Sequence, residues 1–569
     1  MTGEPAVSCY HHRAQSTMLM HTLLSGGQSA VCFDTQGVCN QLLRLGWQLP
    51  EACQVSVRDP KLMAWLHEPQ LMQRDERQIE GYTLQVLSAR YGVPTPSGNS
   101  LPPLQQLKSD MLQAVQLTAA LEGCIMPYLP RKALQVEMQI AVILAQMEVD
   151  GMGFNAQEQQ AAQLVGSSIN LSSASQVSVA LYDTLALPPP QQRSDRGSAR
   201  THHPTDEVAL KQLTGLHPLP PLILEYRCMH NIFTKWIQPP WVHQMAAASA
   251  GGQVRVRCSW NQIATATGRL SSSSPNLQAV TKYTTSVRGL PPEPHAALGS
   301  SKQDINIRDA FVASPGCLLI AADYSQIELR VLAHLSGDLK LIQVLRQAGV
   351  GGDAFALIAK TWLRKPHDTD RPVVSEEREK AKRVTYGIIY GLSPWGLAKG
   401  PGGLDIQVGQ AQNLITSFLN HFSGLKQFLE KTKHEARGRG YITTFSGRCR
   451  PIKALSSSGQ GCTPAASQRT AAEADRKAVN STIQGSAADL IKLAMCSWAA
   501  WQHALCTQRP VCLVAQIHDE LLLEVNPQLC DVYVIAGAVQ QVMEGVACLK
   551  VPLTVHVSCG QRWGAMRRM

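Results

Sequence analysis

The stretch Cys317 to Glu328, CLLIAADYSQIE, runs from an aliphatic segment of strand length directly onto Asp323 and into a polar turn. Short aliphatic runs bounded by polar residues suit buried strands. The same pattern returns near the C terminus. Cys512 to Ile517, CLVAQI, leads into His518, Asp519 and Glu520, after which a second apolar run, Leu521 to Val525, resumes. Strand, short polar turn and strand predict a hairpin with its carboxylates at the tip. Carboxylates at strand ends are hard oxygen ligands of the kind Mg²⁺ takes, a few from protein and the rest from water and phosphates. If the two strand systems are neighbours, Asp323 and Asp519 can clamp two ions about 4 Å apart for an in-line phosphoryl displacement. Taken singly, each motif reads equally well as an acidic turn capping a hairpin.

Working outward, the segment Glu376 to Tyr390 lacks proline and predicts a helix. In it Arg378, Lys382, Tyr386 and Tyr390 recur every four residues, a spacing that places them along one slowly drifting face. Two cations therefore lead into two aromatic rings, a stripe able to hold a triphosphate at one end and offer a ring to a base at the other. Ala471 to Met495 also predicts a helix and carries Arg476, Asn480 and Gln484, again four apart. Carboxamides such as Asn480 and Gln484, which both donate and accept, and a donor such as Arg476 suit the degenerate hydrogen-bonding edges of a minor groove. Gly268 and Arg269, in TATGRLSS, add a close turn and a cation.

The chain has 569 residues, more than one hydrophobic core usually organises, so several domains are expected. Its hydrophobic fraction of 44% is too high for a disordered chain. No run approaches a membrane span, and the first residues show no secretory pattern. Sixteen cysteines are scattered without a C-x-x-C pair, which predicts reduced thiols rather than disulfides or zinc. Loops are expected at Pro94 to Pro103, Pro188 to Pro204, Leu290 to Asp304 and Ser456 to Ser467. Between them strand and helix patterns mix without regular alternation, which predicts an α+β fold. The net charge of +10 is unevenly placed: residues 1 to 131 hold 9 Lys/Arg against 10 Asp/Glu, and the remaining 438 hold 43 against 32. The positive excess lies wholly in the part that carries the motifs above, as contact with phosphates requires.

Taken together and in order, these motifs resemble those of the family A DNA polymerases, the group of bacterial DNA polymerase I. The matching pieces are TATGRLSS with PNLQ (Pro275 to Gln278), IRDAF (Ile307 to Phe311), DYSQIELRVLAHLSGD (Asp323 to Asp338), the helix from Arg378 to Gly391, GYITTFSGRCR (Gly440 to Arg450), RKAVNSTIQGSAADLIKLAM (Arg476 to Met495) and QIHDELLLEV (Gln516 to Val525). The resemblance covers roughly residues 132 to 569. Within the family the chain is most similar to the animal nu branch, with the theta branch next. It implies a right hand: a thumb over about 132–240, palm over 241–335 and 476–569, and fingers over 336–475. The palm would be an antiparallel sheet, and the fingers and thumb helical. Residues 1–131 take the place of a ribonuclease H-like α/β domain with 3′–5′ exonuclease chemistry.

The resemblance also implies roles. Asp323 and Asp519 would hold two Mg²⁺ ions, with Mn²⁺ as a substitute, the Tyr324 carbonyl as a further ligand and Glu520 as an auxiliary. Glu328 would be the steric gate against ribonucleotides. Arg378 and Lys382 would grip the triphosphate of the dNTP, Lys382 also protonating pyrophosphate, with Tyr386 and Tyr390 beside the nascent pair. Arg269, Asn276, Gln278, Arg476, Asn480, Gln484 and His518 would bind primer–template DNA. Four departures stand out. Residues 1–131 keep Asp34 but have no Asp-x-Glu pair, and no Tyr-x-x-x-Asp precedes the polymerase part, so a degenerate, inactive nuclease is expected. Phe355 stands where many relatives have a His that touches the triphosphate; separately, Tyr386 stands where bacterial relatives have Phe, and its hydroxyl implies tolerance of dideoxynucleotides. Arg383 follows the fingers lysine, where a small residue is frequent, and could donate to base acceptors in a mispair.

The expected function is template-directed DNA synthesis without proofreading by a nuclear monomer that engages no membrane, acts in DNA repair or translesion synthesis, and has DNA repair proteins as further partners. A single-subunit RNA polymerase would not be expected to keep Glu328. Other readings are a catalytically silent DNA-binding scaffold and a theta-like end-joining enzyme.

Overall fold

In a computed structural model, the described residues comprise 255–280, 302–349, 352–364, 371–400, 403–452, 464–505 and 510–569, Lys282, 285–288, and shorter stretches of the first 254 residues, among them 34–44, 57–67, 83–94, 112–121, 131–150, 174–188 and 203–217. Most of the predicted loop segments 94–103, 188–204 and 290–304 lie outside them. So do most of residues 1–33, at the start of the stretch 1–131 expected to be a degenerate nuclease.

The centre is an antiparallel sheet of five strands: β1 (Leu318–Tyr324), β2 (Val511–Ile517), β3 (Glu520–Val525), β4 (Val555–Gly560) and β5 (Arg567–Arg568), in the order β2-β3-β1-β4-β5. Leu319, Ile320, Ala321 and Ala322 of β1 are at most 5% exposed, so both faces of this strand are covered. That explains the unbroken aliphatic run, since a strand wet on one face would alternate. The predicted hairpin forms with Ile517 opposite Glu520 and only His518 and Asp519 at its tip. His518 adopts φ +54°, the left-handed conformation that two-residue hairpin loops favour.

Around the sheet stand helices α1 (Arg131–Asp150), α2 (Ile327–Ser336), α3 (Ala354–Leu363), α4 (Ser375–Ile389), α5 (Ser423–Arg439), α6 (Pro464–Leu505) and α7 (Val532–Gly545). Helix α7 packs on β1 and β4, and α1 on β2. Helix α6 is longer than the sequence pattern indicates: it begins at Pro464, inside the stretch read as a loop, where proline's fixed φ and missing N–H fit a first helical turn. It is the spine of the molecule, touching α1, α2, α4, α5 and α7. Buried Ala474, Ala478, Ala487 and Ala494 allow those close approaches. At Gly485 an added Cβ would lie 2.6 Å from the Thr444 methyl, so only glycine admits the hairpin formed by Tyr441–Thr443 and Cys449–Pro451.

Buried charges tie α1 to this spine. Lys492 Nζ lies 2.6 and 2.8 Å from the two carboxylate oxygens of Glu137, and Arg448 Nη2 lies 3.0 Å from Asp489. All four side chains are at most 4% exposed. From the N-terminal part, buried Trp65 brings its ring 5.3 Å from the Lys492 ammonium. That part also forms a short parallel strand pair, Ala30–Val31 with Val57–Arg58, and a helix, Thr35–Arg44, packed on α1.

Removing one partner of a buried pair leaves an uncompensated charge, which costs about 3 kcal/mol or more. Lys492→Met is therefore expected to lower unfolding stability by roughly that amount in a denaturant titration, and Glu137→Met/Lys492→Met by less than the single change.

Candidate active site

The register of the central sheet assembles the site. Asp323 is the Cα partner of Glu520 on β3 and of His556 on β4, and the Tyr324 N–H donates to the Asp519 carbonyl at 3.1 Å. The two predicted strand-end carboxylates thus meet where β1 and the hairpin run side by side. Lys282, not anticipated from the sequence, brings its Nζ to 3.7 Å from Asp323. Glu520 is buried, accepts from the Trp563 indole N–H at 2.9 Å and faces Arg308 at 3.9 Å. Arg308 in turn lies 3.9 Å over the Trp563 ring.

Burial raises all three carboxyls above their ordinary range. Asp519 is pushed up to about 7 by burial, relieved in part by Arg269 and reinforced by Glu328 and Asp323. Asp323 is raised by burial against the opposing pull of Lys282. Glu520 is raised by burial and then by Asp323. No group of three or more His, Cys, Asp or Glu side chains able to hold a metal occurs among the described residues. A pair of carboxylates still fits Mg²⁺, which keeps several waters and is commonly held by one or two carboxylates plus substrate phosphates. The Lys282 ammonium beside Asp323 marks the place of positive charge.

Next to these groups Glu328, in the first turn of α2 and 6% exposed, is gripped from two sides. Arg269 donates to one oxygen, and the Tyr390 hydroxyl donates to the other at 3.0 Å. On α4 the residues Ala381, Val384, Thr385, Ile388 and Ile389 are buried, while Arg378, Lys382 and Tyr386 are half-buried along the flank of that face, Tyr386 packing against the core. Tyr390 closes the helix as its cap rather than extending it, and its ring stacks on Tyr386 at 6.0 Å and 16°. Burial, with Glu328 and Asp519 nearby, pushes the Tyr386 hydroxyl up to about 12. Phe355 is buried with its ring 5.5 Å from Tyr386. Arg378 pairs with Asp353 and Glu379, and Arg383 donates to the Gly403 carbonyl.

The remaining candidates spread over the neighbouring surface. Gln278 Nε2 donates to the backbone and side-chain oxygens of Gln516, both at 3.2 Å, beside the hairpin tip. A cavity joins Arg269, Gln278, Gln516, His518 and Asp519. Asn276 is exposed, but its carboxamide oxygen caps the turn Leu277–Ala279, so that part of the side chain is already used. Arg476 is exposed and stands against Gly391, at the end of α4. Asn480 and Gln484 are half-buried on α6, and Asn480 Oδ1 has no hydrogen-bond partner. The Tyr324 side chain is buried and donates to the Met543 carbonyl, away from the carboxylates. Arg308 stands in the IRDAF motif but has no role assigned from the sequence, and Lys282, His556 and Trp563 escape that reading because only the fold brings these distant segments together.

The family model for DNA polymerase family A matches residues 146–565. The chain is 34% identical over 445 residues to the thermostable DNA polymerase I of Thermus aquaticus, covering 75% of this chain and 48% of that protein. It is 31% identical over 534 residues to mouse DNA polymerase theta, covering 76% of this chain and 20% of that protein. In structure it is similar to the polymerase domain of Pol1 from M. smegmatis, solved with DNA primer-template and dNTP, with a TM-score of 0.73, 28% identity, and coverage of 96% of this chain and 88% of that one. The chain belongs to the family A DNA polymerases. It spans about half the length of the Thermus relative and a fifth of the mouse one. The α+β fold read from the sequence is the one observed, and no helix among the described residues is long and apolar enough to cross a membrane.

The raised carboxyls have a thermodynamic consequence. For Asp519 the folded value of about 7 lies above the ordinary 3.8. The unfolded chain therefore loses that proton first, and stability falls as pH rises between those values and stays lower above them. Asp519→Asn is expected to raise the melting temperature by a few degrees at pH 8 without divalent metal, and to change it little at pH 4. Thermal melts at the two pH values check this.

Proposed function

We propose that the chain is a template-directed DNA polymerase that adds deoxynucleotides to a primer 3′ end by two-metal phosphoryl transfer. The observation that carries this is the meeting of Asp323 and Asp519 where β1 adjoins the hairpin, with raised carboxyls and an ammonium beside them. Asp323, Asp519 and the Tyr324 carbonyl would hold two Mg²⁺ ions, which when bound neutralise charge on the reacting phosphoryl oxygens. The protein's own part is positioning, as expected for phosphoryl transfer. Arg378 and Lys382 bind the triphosphate from the open side of α4. Lys382 supplies a proton to the departing pyrophosphate. Glu328, held by Arg269 and Tyr390 so that it cannot swing away, fills the space a ribose 2′-hydroxyl would need. Tyr386 and Tyr390 pack against the nascent pair, and Arg269, Gln278, Gln484, Asn480 and His518 line the primer end, with Asn276 and Arg476 at its flanks.

The relative from M. smegmatis was solved with primer-template and dNTP, which supports the same partners here. Absence of proofreading is supported by Asp34: Lys61 Nζ sits 2.8 Å from its carboxylate, a cation of the protein's own beside the remnant of the nuclease motif. Such an enzyme fits repair or translesion synthesis in the nucleus, in the manner of the nu branch.

Wild-type protein with Mg²⁺ is expected to extend a primer on a template, and Asp323→Ala to abolish extension while melting cooperatively. No extension by wild type would favour a silent scaffold. Glu328→Ala is expected to raise ribonucleotide use relative to deoxynucleotide by about ten-fold or more, ~1.4 kcal/mol of lost discrimination, read as the ratio of kcat/KM values. Tyr386→Phe is expected to strengthen selection against dideoxynucleotides, and Arg383→Ala to narrow the mismatch spectrum in single-nucleotide incorporation.

A further inference from the structure

The two cations of the α4 face are already matched by carboxylates of the same protein. Arg378 directs Nε to Asp353 and Nη1 to Glu379 at 3.0 Å, and Lys382 Nζ lies 3.7 Å from the same Glu379 oxygen. A guanidinium has five N–H donors in a fixed fork, and an ammonium has three. Two negative charges against two positive ones leave this end of the face close to neutral, so an incoming polyphosphate must compete with carboxylates for the same donors.

The two carboxylates are not equivalent. Asp353 also caps α3, accepting from the Phe355 and Ala356 N–H groups at 3.0 and 3.1 Å, so it has a structural task. Glu379 caps nothing, stands within α4 one residue after Arg378 and three before Lys382, and has a side chain 41% exposed. Its replacement opens no hole in the core.

Building on the polymerase reading above, we infer that Glu379 sets the affinity for the incoming nucleotide by competing with its triphosphate for Arg378 and Lys382. Glu379 is thus a positioning residue that acts through two cations, and its charge holds the KM for dNTP higher than the same face would give without it. Because the pairs are solvent-accessible, the effect is modest and screened by salt.

The test is steady-state single-nucleotide incorporation with wild type, Glu379→Gln, Glu379→Asp and Glu376→Gln, at low and at physiological ionic strength. It is paired with dNTP binding to a dideoxy-terminated primer-template, read by 2-aminopurine fluorescence. Glu379→Gln is expected to lower both KM and Kd about two- to five-fold, the range exposed ion pairs give, with kcat little changed. The difference should shrink as salt rises. Glu379→Asp should return the values toward wild type. Glu376→Gln, the same loss of charge in the exposed first turn of α4, should not lower them comparably. An unchanged or higher KM in a Glu379→Gln enzyme that extends primers overturns this inference and leaves the polymerase reading standing, as does an equal drop in Glu376→Gln. Failure of the wild type itself to extend primers overturns both.

Discussion

Burying several carboxylates at one point is the constraint on which the rest of the palm depends. Asp323, Asp519 and Glu520 lie where β1 adjoins the hairpin and Glu328 stands in the first turn of α2; Asp323 raises the cost of charging Asp519 and Glu520, and Glu328 that of charging Asp519. A fold with no use for cations would not be expected to retain this arrangement, because crowded like charges repel and two of the four, Glu328 and Glu520, are buried away from water. The protein answers with cations of its own at the margins: Lys282 by Asp323, Arg308 by Glu520 and Arg269 by Glu328. Arg269 also relieves Asp519 in part, Arg308 also acts on Asp323, and Lys282 also relieves Glu520. The centre remains an acidic place in a basic chain, suited to divalent ions arriving with a negatively charged substrate.

The scaffolding around the centre serves that arrangement. Strand β1 must be apolar on both faces because helices cover it, which fixes Asp323 at the point where the cover ends. The two-residue turn, made possible by the left-handed His518, sets Asp519 immediately before β3 and keeps Glu520 in register with Asp323. Helix α6 links this sheet to α4, so the stripe from Arg378 to Tyr390 and the acidic centre are referred to one element. The buried pairs of Glu137 with Lys492 and of Asp489 with Arg448 bind α1 and a small hairpin to the same spine.

Much of this was legible in the sequence because it is local. CLLIAAD and CLVAQIHDE announce their strands and their acidic ends, and the four-residue spacing on α4 announces a face. The buried residues on α4 confirm which side is turned inward. What could not be read is what depends on pairing between distant segments. His556 looks like one polar residue in an apolar strand until register sets it opposite Asp323. Trp563 lies in the turn between β4 and β5, and nothing nearby in sequence foretells its hydrogen bond to Glu520. Asn276 matches a motif, yet its oxygen is committed to a turn. The early start of α6 was hidden by a Gly/Ser-rich composition that usually signals a loop.

The central claim is that the palm carboxylates exist to gather divalent ions with the nucleotide. The most direct measurement is equilibrium Mn²⁺ binding, followed by electron paramagnetic resonance, to the complex with dideoxy-terminated primer-template and matched dNTP. The account predicts two protein-dependent ions for wild type and their loss in Asp323→Ala/Asp519→Ala. Equal Mn²⁺ binding by wild type and the double variant would contradict it.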